Sequence, residues 1–386
     1  MCRKLAAMMG LWILVSATAA LAQGTWSTSS LWNLPCVGGS AASAAGKVFF
    51  SEGSKGGHYS SFVLVFDTIN YNARSWLFLP TGHYAGDLCS AGGNVFFVGN
   101  ATLDIYDTST GSWATETLPG YKKGPVCASA NGLVFVPTVD GNGASEQMNI
   151  YDSVSHSWSA ASLIANRGSF QAAVSCGSQV LFGGGLDSTT GLTSSSVDIY
   201  DTSTQIWTTA ALSQARSRLA ATSAGSLVFF GGGVSAGTTQ SSVVDIYDTV
   251  GRTWNTASLS QARGALTATS VGNYVLFAGG TGEGSQTSNA VDIYDITAGT
   301  WKTAPLSQAR WQLVSASAND EAFFAGGYPV FPYWDTSDVV DIFTIPEPAT
   351  LSLLVLGGAA LTGLRRRKRS AECPVRRAEC GGVQDK

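Results

Sequence analysis

The chain has 386 residues, and ten of its 22 basic residues lie in the two end segments, at Arg3, Lys4, 365–369, Arg376, Arg377 and Lys386. Three of its 26 acidic residues, Glu372, Glu379 and Asp385, lie in the tail, so residues 23–364 hold 12 basic against 23 acidic side chains. A body this acidic, with no basic stripe, excludes nucleic acid as a partner and excludes binding to anionic lipid through the body itself.

Arg3 and Lys4 precede an apolar stretch from Leu5 to Leu21, which ends in Ala20-Leu21-Ala22. This is the three-part layout of a secretory signal peptide over residues 1–22. A buried N-terminal helix would show a polar face, and Ser/Thr/Gly/Trp-rich chain begins at Gln23 instead. Export brings oxidising surroundings, in which Cys36, Cys89, Cys127 and Cys176 either pair or sit as small core residues. Cys89 and Cys127 stand seven residues before Phe96 and Val134, which predicts equivalent buried places in neighbouring repeats.

Asp-Ile-Tyr-Asp recurs at 104–107, 198–201, 245–248 and 292–295, with variants at 64–67, 149–152 and 341–343. A tryptophan follows six of these seven copies, at Trp76, Trp113, Trp158, Trp207, Trp254 and Trp301, and five of the six have Leu five residues on. The seventh copy has no such tryptophan. The missing piece stands near the mature N-terminus, where Trp26-Ser-Thr-Ser-Ser-Leu31 has the same spacing. The N-terminal segment is therefore expected to supply the outer strand of the last repeat and leave no sheet edge at the seam.

Upstream of each copy an apolar strand ends in glycine, as in Leu227-Val-Phe-Phe-Gly231-Gly232-Gly233 and Phe324-Ala-Gly326-Gly327. This order of double glycine, Tyr-Asp and Trp resembles the kelch repeat, whose period is about 50 residues. The resemblance runs over residues 24–343; Ser51-Glu52-Gly53, Val98-Gly99 and Val136-Pro137 replace the double glycine in the first three repeats. It implies an all-β, seven-bladed kelch-type β-propeller at 23–344, flanked by the signal peptide and a C-terminal transmembrane helix. Blade 5 reads as strands at about 219–224, 227–231, 243–249 and 253–258. Glycine fits where a Cβ would clash, Tyr and Trp fill the wedge between sheets, and the second Asp takes backbone N–H bonds in the turn before Trp. Isolated turn carboxylates do not make calcium sites, and their Asp-to-Gly spacing does not fit sialidase Asp-boxes.

The loops joining second to third strands and fourth to first strands must share one face. Most are Ser/Thr/Gly-rich, but blade 7 carries Tyr328, Phe331, Tyr333, Trp334 and Asp335, with Arg310-Trp311 entering the same blade. Blade 1, next door in a closed ring, adds His58 and Tyr59, and the following loop has His83 and Tyr84. Aromatics on one arc suit stacking on sugar rings or holding a peptide, with Arg310 and Asp335 as polar contacts; they equally suit packing on one another. The recurring Arg167, Arg216, Arg263 and Arg310 match the kelch scaffold arginine, and Arg218 occupies a place from which some kelch domains contact acidic peptides.

Catalysis has little support. The chain has three histidines, His58, His83 and His156, whereas kelch-type copper oxidases need two beside activated tyrosines at one metal. No Gly-x-Ser-x-Gly elbow stands between a strand and a helix. No cofactor, metal site or catalytic residue is expected.

At the far end Pro346-Glu347-Pro348 precedes an uncharged apolar run, 349–364, and then Arg365, Arg366, Arg367, Lys368 and Arg369. This resembles the PEP-CTERM sorting signal, here 345–369, in which the tripeptide is read by a membrane-embedded exosortase. A helix followed by basic residues holds its charges on the cytoplasmic side and leaves the preceding domain outside. The remaining 370–386, with Cys373 and Cys380, matches no ligand pattern and is expected to be a disordered tail. The resulting expectation is an exported, noncatalytic propeller, membrane-anchored until processed and then at the cell surface or outside it. Its partners would be the export and sorting machinery and a polysaccharide or protein ligand. The alternatives are an exported carbohydrate-active enzyme and a purely structural envelope protein.

Overall fold

Each repeat folds into an antiparallel sheet whose strands are buried according to their place in a ring of such sheets. In blade 5 the second strand, Leu227–Gly231, is apolar and buried because both its faces abut neighbouring sheets. The fourth strand, Thr253–Ser258, lies at the outer edge and is largely polar, and the first, Ala220–Ala224, has only small side chains. Small residues suit seven strands crowded about one axis.

A computed structural model describes residues 24–31, 39–51, 54–55, 58–59, 61–68, 74–81, 86–99, 101–122, 126–139, 146–162, 167–169, 171–187, 190–329 and 336–345. The signal peptide, Cys36, the sorting segment from Pro346 and the tail lie outside these residues. Trp26–Thr344 forms one compact unit.

Within that unit the inner strands run from Ala41–Ala44 of blade 1 to Val314–Ala318 of blade 7. Each touches the next, and the last touches the first, which closes a ring of seven blades. The expected all-β seven-bladed propeller is thus the observed fold. Blade 3 has an additional two-residue strand, Tyr121–Lys122, on Leu133–Val139, and blade 1 has a small hairpin between its second and third strands, Ser54–Lys55 with His58–Tyr59.

The seam closes as the Trp-to-Leu spacing requires. Thr25–Ser30 lies beside Val339–Thr344 in the last blade, and the Leu31 N–H donates to Asp338 O at 2.7 Å. Trp26 packs on Phe343 with centroids 5.2 Å apart, the same contact that Tyr247 makes with Trp254 at 4.8 Å and Tyr106 with Trp113 at 5.0 Å.

The repeat residues divide the labour of the scaffold. The second aspartate is a turn residue: Asp248 accepts the Val250 N–H at 3.0 Å and Asp107 that of Ser109 at 2.8 Å. The first aspartate is buried, and in blades 5, 6 and 7 it forms an ion pair, Arg216 with Asp245, Arg263 with Asp292 and Arg310 with Asp341. Each arginine also donates to two backbone carbonyls, Gly232 and Val243 in the case of Arg216. A Cβ on Gly231 would come within 2.4 Å of the Phe277 ring, and one on Gly232, whose φ is +65°, within 2.6 Å of the Arg263 carbonyl oxygen. The double glycine therefore lets the next blade approach.

Blade 1 departs from this plan. Phe66, which holds the place of Tyr247, is opposite Arg74, and Trp76 stands two residues further along, opposite Leu64. Its ring leaves the wedge between sheets and joins Phe62 and Phe78 on the surface, at centroid distances of 6.2 Å from Phe62 for Trp76 and 4.8 Å for Phe78. Cys127 likewise does not match Cys89. Val134 pairs with Tyr151 as Val95 does with Tyr106, so Cys127 stands one residue earlier in its strand, a shift that changes the face of the sheet.

Candidate binding site at the channel mouth

The inner strands surround a central channel of about 370 Å³ lined by an equivalent serine from each blade, from Ser43 to Ser317, and by Ser315 besides. The pattern is cooperative: Ser129 Oγ donates to Ser90 O, Ser223 Oγ to Ser175 O and Ser270 Oγ to Ser223 O, each at 2.7 Å. The hydroxyls thus bridge the channel-lining strands of successive blades, and the wall is polar.

At the end where fourth strands return to first strands, the channel opens into a mouth of about 330 Å³. Arg218, Ala265 and Gln312 occupy one equivalent position at its rim in blades 5, 6 and 7, all in the left-handed backbone region with φ of 53°, 51° and 51°. Non-glycine residues adopt that region at an energetic cost, and here the cost is met by rungs between blades: Ala265 N–H donates to Arg218 O at 3.0 Å and Gln312 N–H to Ala265 O at 3.1 Å. The rungs hold Arg218 and Gln312 exposed at the rim. Leu219, Leu266 and Leu313 follow them in sequence, and Asp87 and Gln171 are buried in the same lining.

Of the residues singled out on the loop face, the structure brings Arg218 to the mouth and Trp311 together with Tyr328. Trp311 is only 3% exposed; its ring lies 5.4 Å from that of Tyr328, and the two exchange backbone hydrogen bonds at 3.1 and 2.9 Å. Arg310 is fully buried and committed to Asp341, Gly326 O and Val339 O. The expectation that Arg310 offers polar contacts at the loop face is therefore corrected: its recurrence within Leu-Ser-Gln-Ala-Arg reflects the ion pair with Asp341. The same segment uses its other members structurally, since Ser307 N–H donates to Asp341 at 2.9 Å and Gln308 accepts from Ser337 Oγ at 2.6 Å.

Phe331, Tyr333, Trp334 and Asp335 lie outside the described residues, as do His83 and Tyr84, while His58 and Tyr59 form one strand of the blade 1 hairpin. His156 is in the turn between third and fourth strands of blade 3, away from the mouth, 2.9 Å from Tyr151. Burial, and then the charge of Glu116, push the Tyr151 hydroxyl up to about 12. Among the described residues no three His, Cys, Asp or Glu side chains gather to hold a metal, and no helix is long and apolar enough to cross a membrane.

Sequence reasoning missed the Asp partners of the arginines, the rim rungs, the Phe62–Trp76–Phe78 surface cluster and Gln171. The first had a signal, for each arginine recurs with an aspartate 29 or 31 residues later. The others depend on strand register.

Residues 344–368 match the family model of the PEP-CTERM protein-sorting motif. The match takes in Pro346-Glu347-Pro348 and the basic residues to Lys368, and it marks the chain as exported, transiently anchored in the membrane and then surface-associated after processing by the sorting machinery. A solved structure described as "Structure of YjhT" is similar in fold, with a TM-score of 0.51 and 17% identity over 70% of this chain and 98% of that one. No curated protein matches the sequence.

Proposed function

We propose that this protein is a noncatalytic propeller, sorted to the bacterial envelope or extracellular matrix, that binds polysaccharide or protein through the face bearing the channel mouth. The observation that carries this reading is the mouth itself, an open cavity whose rim holds Arg218 and Gln312 exposed on strained backbone. Left-handed non-glycine backbone also occurs in turns such as those at Gln205 and Arg252; at the rim it recurs in blades 5 to 7 and sets the long polar side chains of Arg218 and Gln312 beside an open cavity. In this reading Arg218, Tyr328, Phe331, Tyr333, Trp334, Asp335, His58 and Tyr59 meet the ligand, and Arg310 and Trp311 support them from within. The sorting signal supports the class of partner, since it delivers the body to the cell surface and the polysaccharide outside it.

The burial of Trp311 against Tyr328 favours a second reading for that one arc, a structural clasp of the seam. A glycan array and a matrix-polysaccharide pull-down on the full chain, run beside Arg218→Ala and Trp334→Ala, separate the two. Binding lost in both variants supports a continuous site from mouth to blade 7. Binding lost only in Arg218→Ala leaves the arc as a clasp, and retention by neither variant nor wild type ends the polysaccharide reading.

A further inference from the structure

Residues immediately before the inner strands differ from blade to blade, being Gly39 and Gly86 in blades 1 and 2, and among the described ones a single blade places a polar side chain there. Leu219, Leu266 and Leu313 hold this place in blades 5, 6 and 7, each four residues ahead of the channel serine. In blade 4 the same place is Gln171, four ahead of Ser175. It is 8% exposed, its Oε1 has no hydrogen-bond partner, and it lines both the mouth and the adjoining cavity of about 220 Å³. A buried amide oxygen without a donor is destabilising, and leucine at this place is what blades 5 to 7 use. A polar group kept at a stability cost in a cavity points to function.

We infer that the mouth receives a single neutral sugar residue, the end of a glycan chain, with one of its hydroxyls donating to Gln171 Oε1. The inference rests on the polysaccharide reading of the same face and adds which part of the glycan enters and what it meets. Three features select this ligand. The orphan group is an acceptor, so the ligand must bring a donor. Leu219, Leu266 and Leu313 in the same lining give an apolar surface that suits the C–H face of a pyranose. The buried carboxylate of Asp87 and the acidic body disfavour an anionic sugar. A cavity of about 330 Å³ lies at the small end of the usual range of roughly 300–1,000 Å³ for ligand sites, which suits one sugar residue rather than a long stretch of chain.

The test titrates the full chain with D-glucose, D-galactose, D-mannose and their disaccharides, and with D-glucuronate, by calorimetry and saturation-transfer NMR. At least one neutral sugar should bind, and Gln171→Leu should weaken it tenfold or more while raising Tm by a few degrees, because the leucine restores the packing of blades 5 to 7. An unchanged affinity in Gln171→Leu overturns the inference, as does glucuronate binding more tightly than every neutral sugar. Retention on matrix polysaccharide without any response to small sugars overturns it and leaves the loop-face reading standing. Absence of both overturns the two together. Arg218→Ala, at an exposed position, serves as a second variant with an intact core and should also weaken the sugar.

Discussion

Blades 5 to 7 and blades 1 to 3 share one architecture but fasten it differently. In the former, a buried arginine pairs with the first aspartate of the repeat and reaches two carbonyls besides, so each incoming loop is bolted to the third strand of its own blade. Among the described residues of the latter, hydroxyl and amide groups meet the same position: in blade 3 Asn149 donates to Pro119 O and to Thr138 Oγ1, and in blade 2 Asp104 accepts from Thr81 and Thr115 hydroxyls. The charged arrangement goes with the double glycine and with the left-handed rim residues, whereas the neutral one goes with Val136-Pro137 and Ser51 in place of glycine. Regular fastening therefore supports half of the mouth, and the exceptional residue Gln171 stands where the two kinds of blade meet.

The largest expected effect lies at the seam between them. Deleting 25–31 removes the outer strand of blade 7 together with the buried Leu31, and should lower Tm by about 10 °C or more in a calorimetric scan, whereas deleting 370–386 should leave it unchanged. Equal shifts would contradict the closure.

Next comes the fastening itself. Asp292→Ala leaves the Arg263 guanidinium buried without its counter-charge and should cost about 3–5 kcal/mol in denaturant unfolding. Asn149→Ala removes neutral hydrogen bonds only and should cost about 1–3 kcal/mol. Similar losses at the two sites would erase the distinction between the halves.

A tryptophan pair sharpens it further. Trp254→Ala opens the wedge beside Tyr247 and should destabilise by about 2–3 kcal/mol, while Trp76→Ala, on the surface of blade 1, should cost less than about 1 kcal/mol. The same unfolding curves measure both.

The smallest effect is shared by both halves. In blade 2, the Ser109 hydroxyl and N–H hold the Asp107 carboxyl down at about 2, and backbone N–H bonds from Val154 and Val250 lower Asp152 and Asp248. A carboxyl lowered by folding contributes stability above its unfolded value and loses that contribution as pH falls through the folded one. Stability should therefore decline as pH drops from about 4 toward 2, and a carbon-detected NMR titration should place Asp107 near 2; a midpoint at the ordinary 3.8 would show the turn bonds to be absent in solution.

These contrasts also show what a sequence displays and what it conceals. The ring and its closure are readable because each blade writes one Tyr or Phe before its turn and the segment after it carries one Trp, and the unmatched Trp26 has only one vacancy to fill. Trp76 misled because counting tryptophans ignores register, and only the pairing of Phe66 with Arg74 shows that the ring has moved outward. Arg310 suggested a ligand contact because it adjoins Trp311, yet its partner Asp341 lies 31 residues on, and burial cannot be seen in spacing. Gln171 escaped notice since blade 4 takes one more residue than blade 5 between its arginine and its serine, so only strand pairing aligns it with Leu219.

Binding at the channel mouth involves the segments that enter the inner strands of blades 4 to 7, while the outer strands serve as scaffold. Hydrogen exchange on the full chain, with and without the matrix polysaccharide that it retains, tests this most directly. The prediction is added protection in the segments that enter the inner strands, around residues 171, 218–219, 265–266 and 312–313, with the outer strands unchanged. Protection confined to the outer strand of blade 1, at Trp76 and Phe78, would contradict it and move the binding surface from the channel mouth to the rim of the propeller.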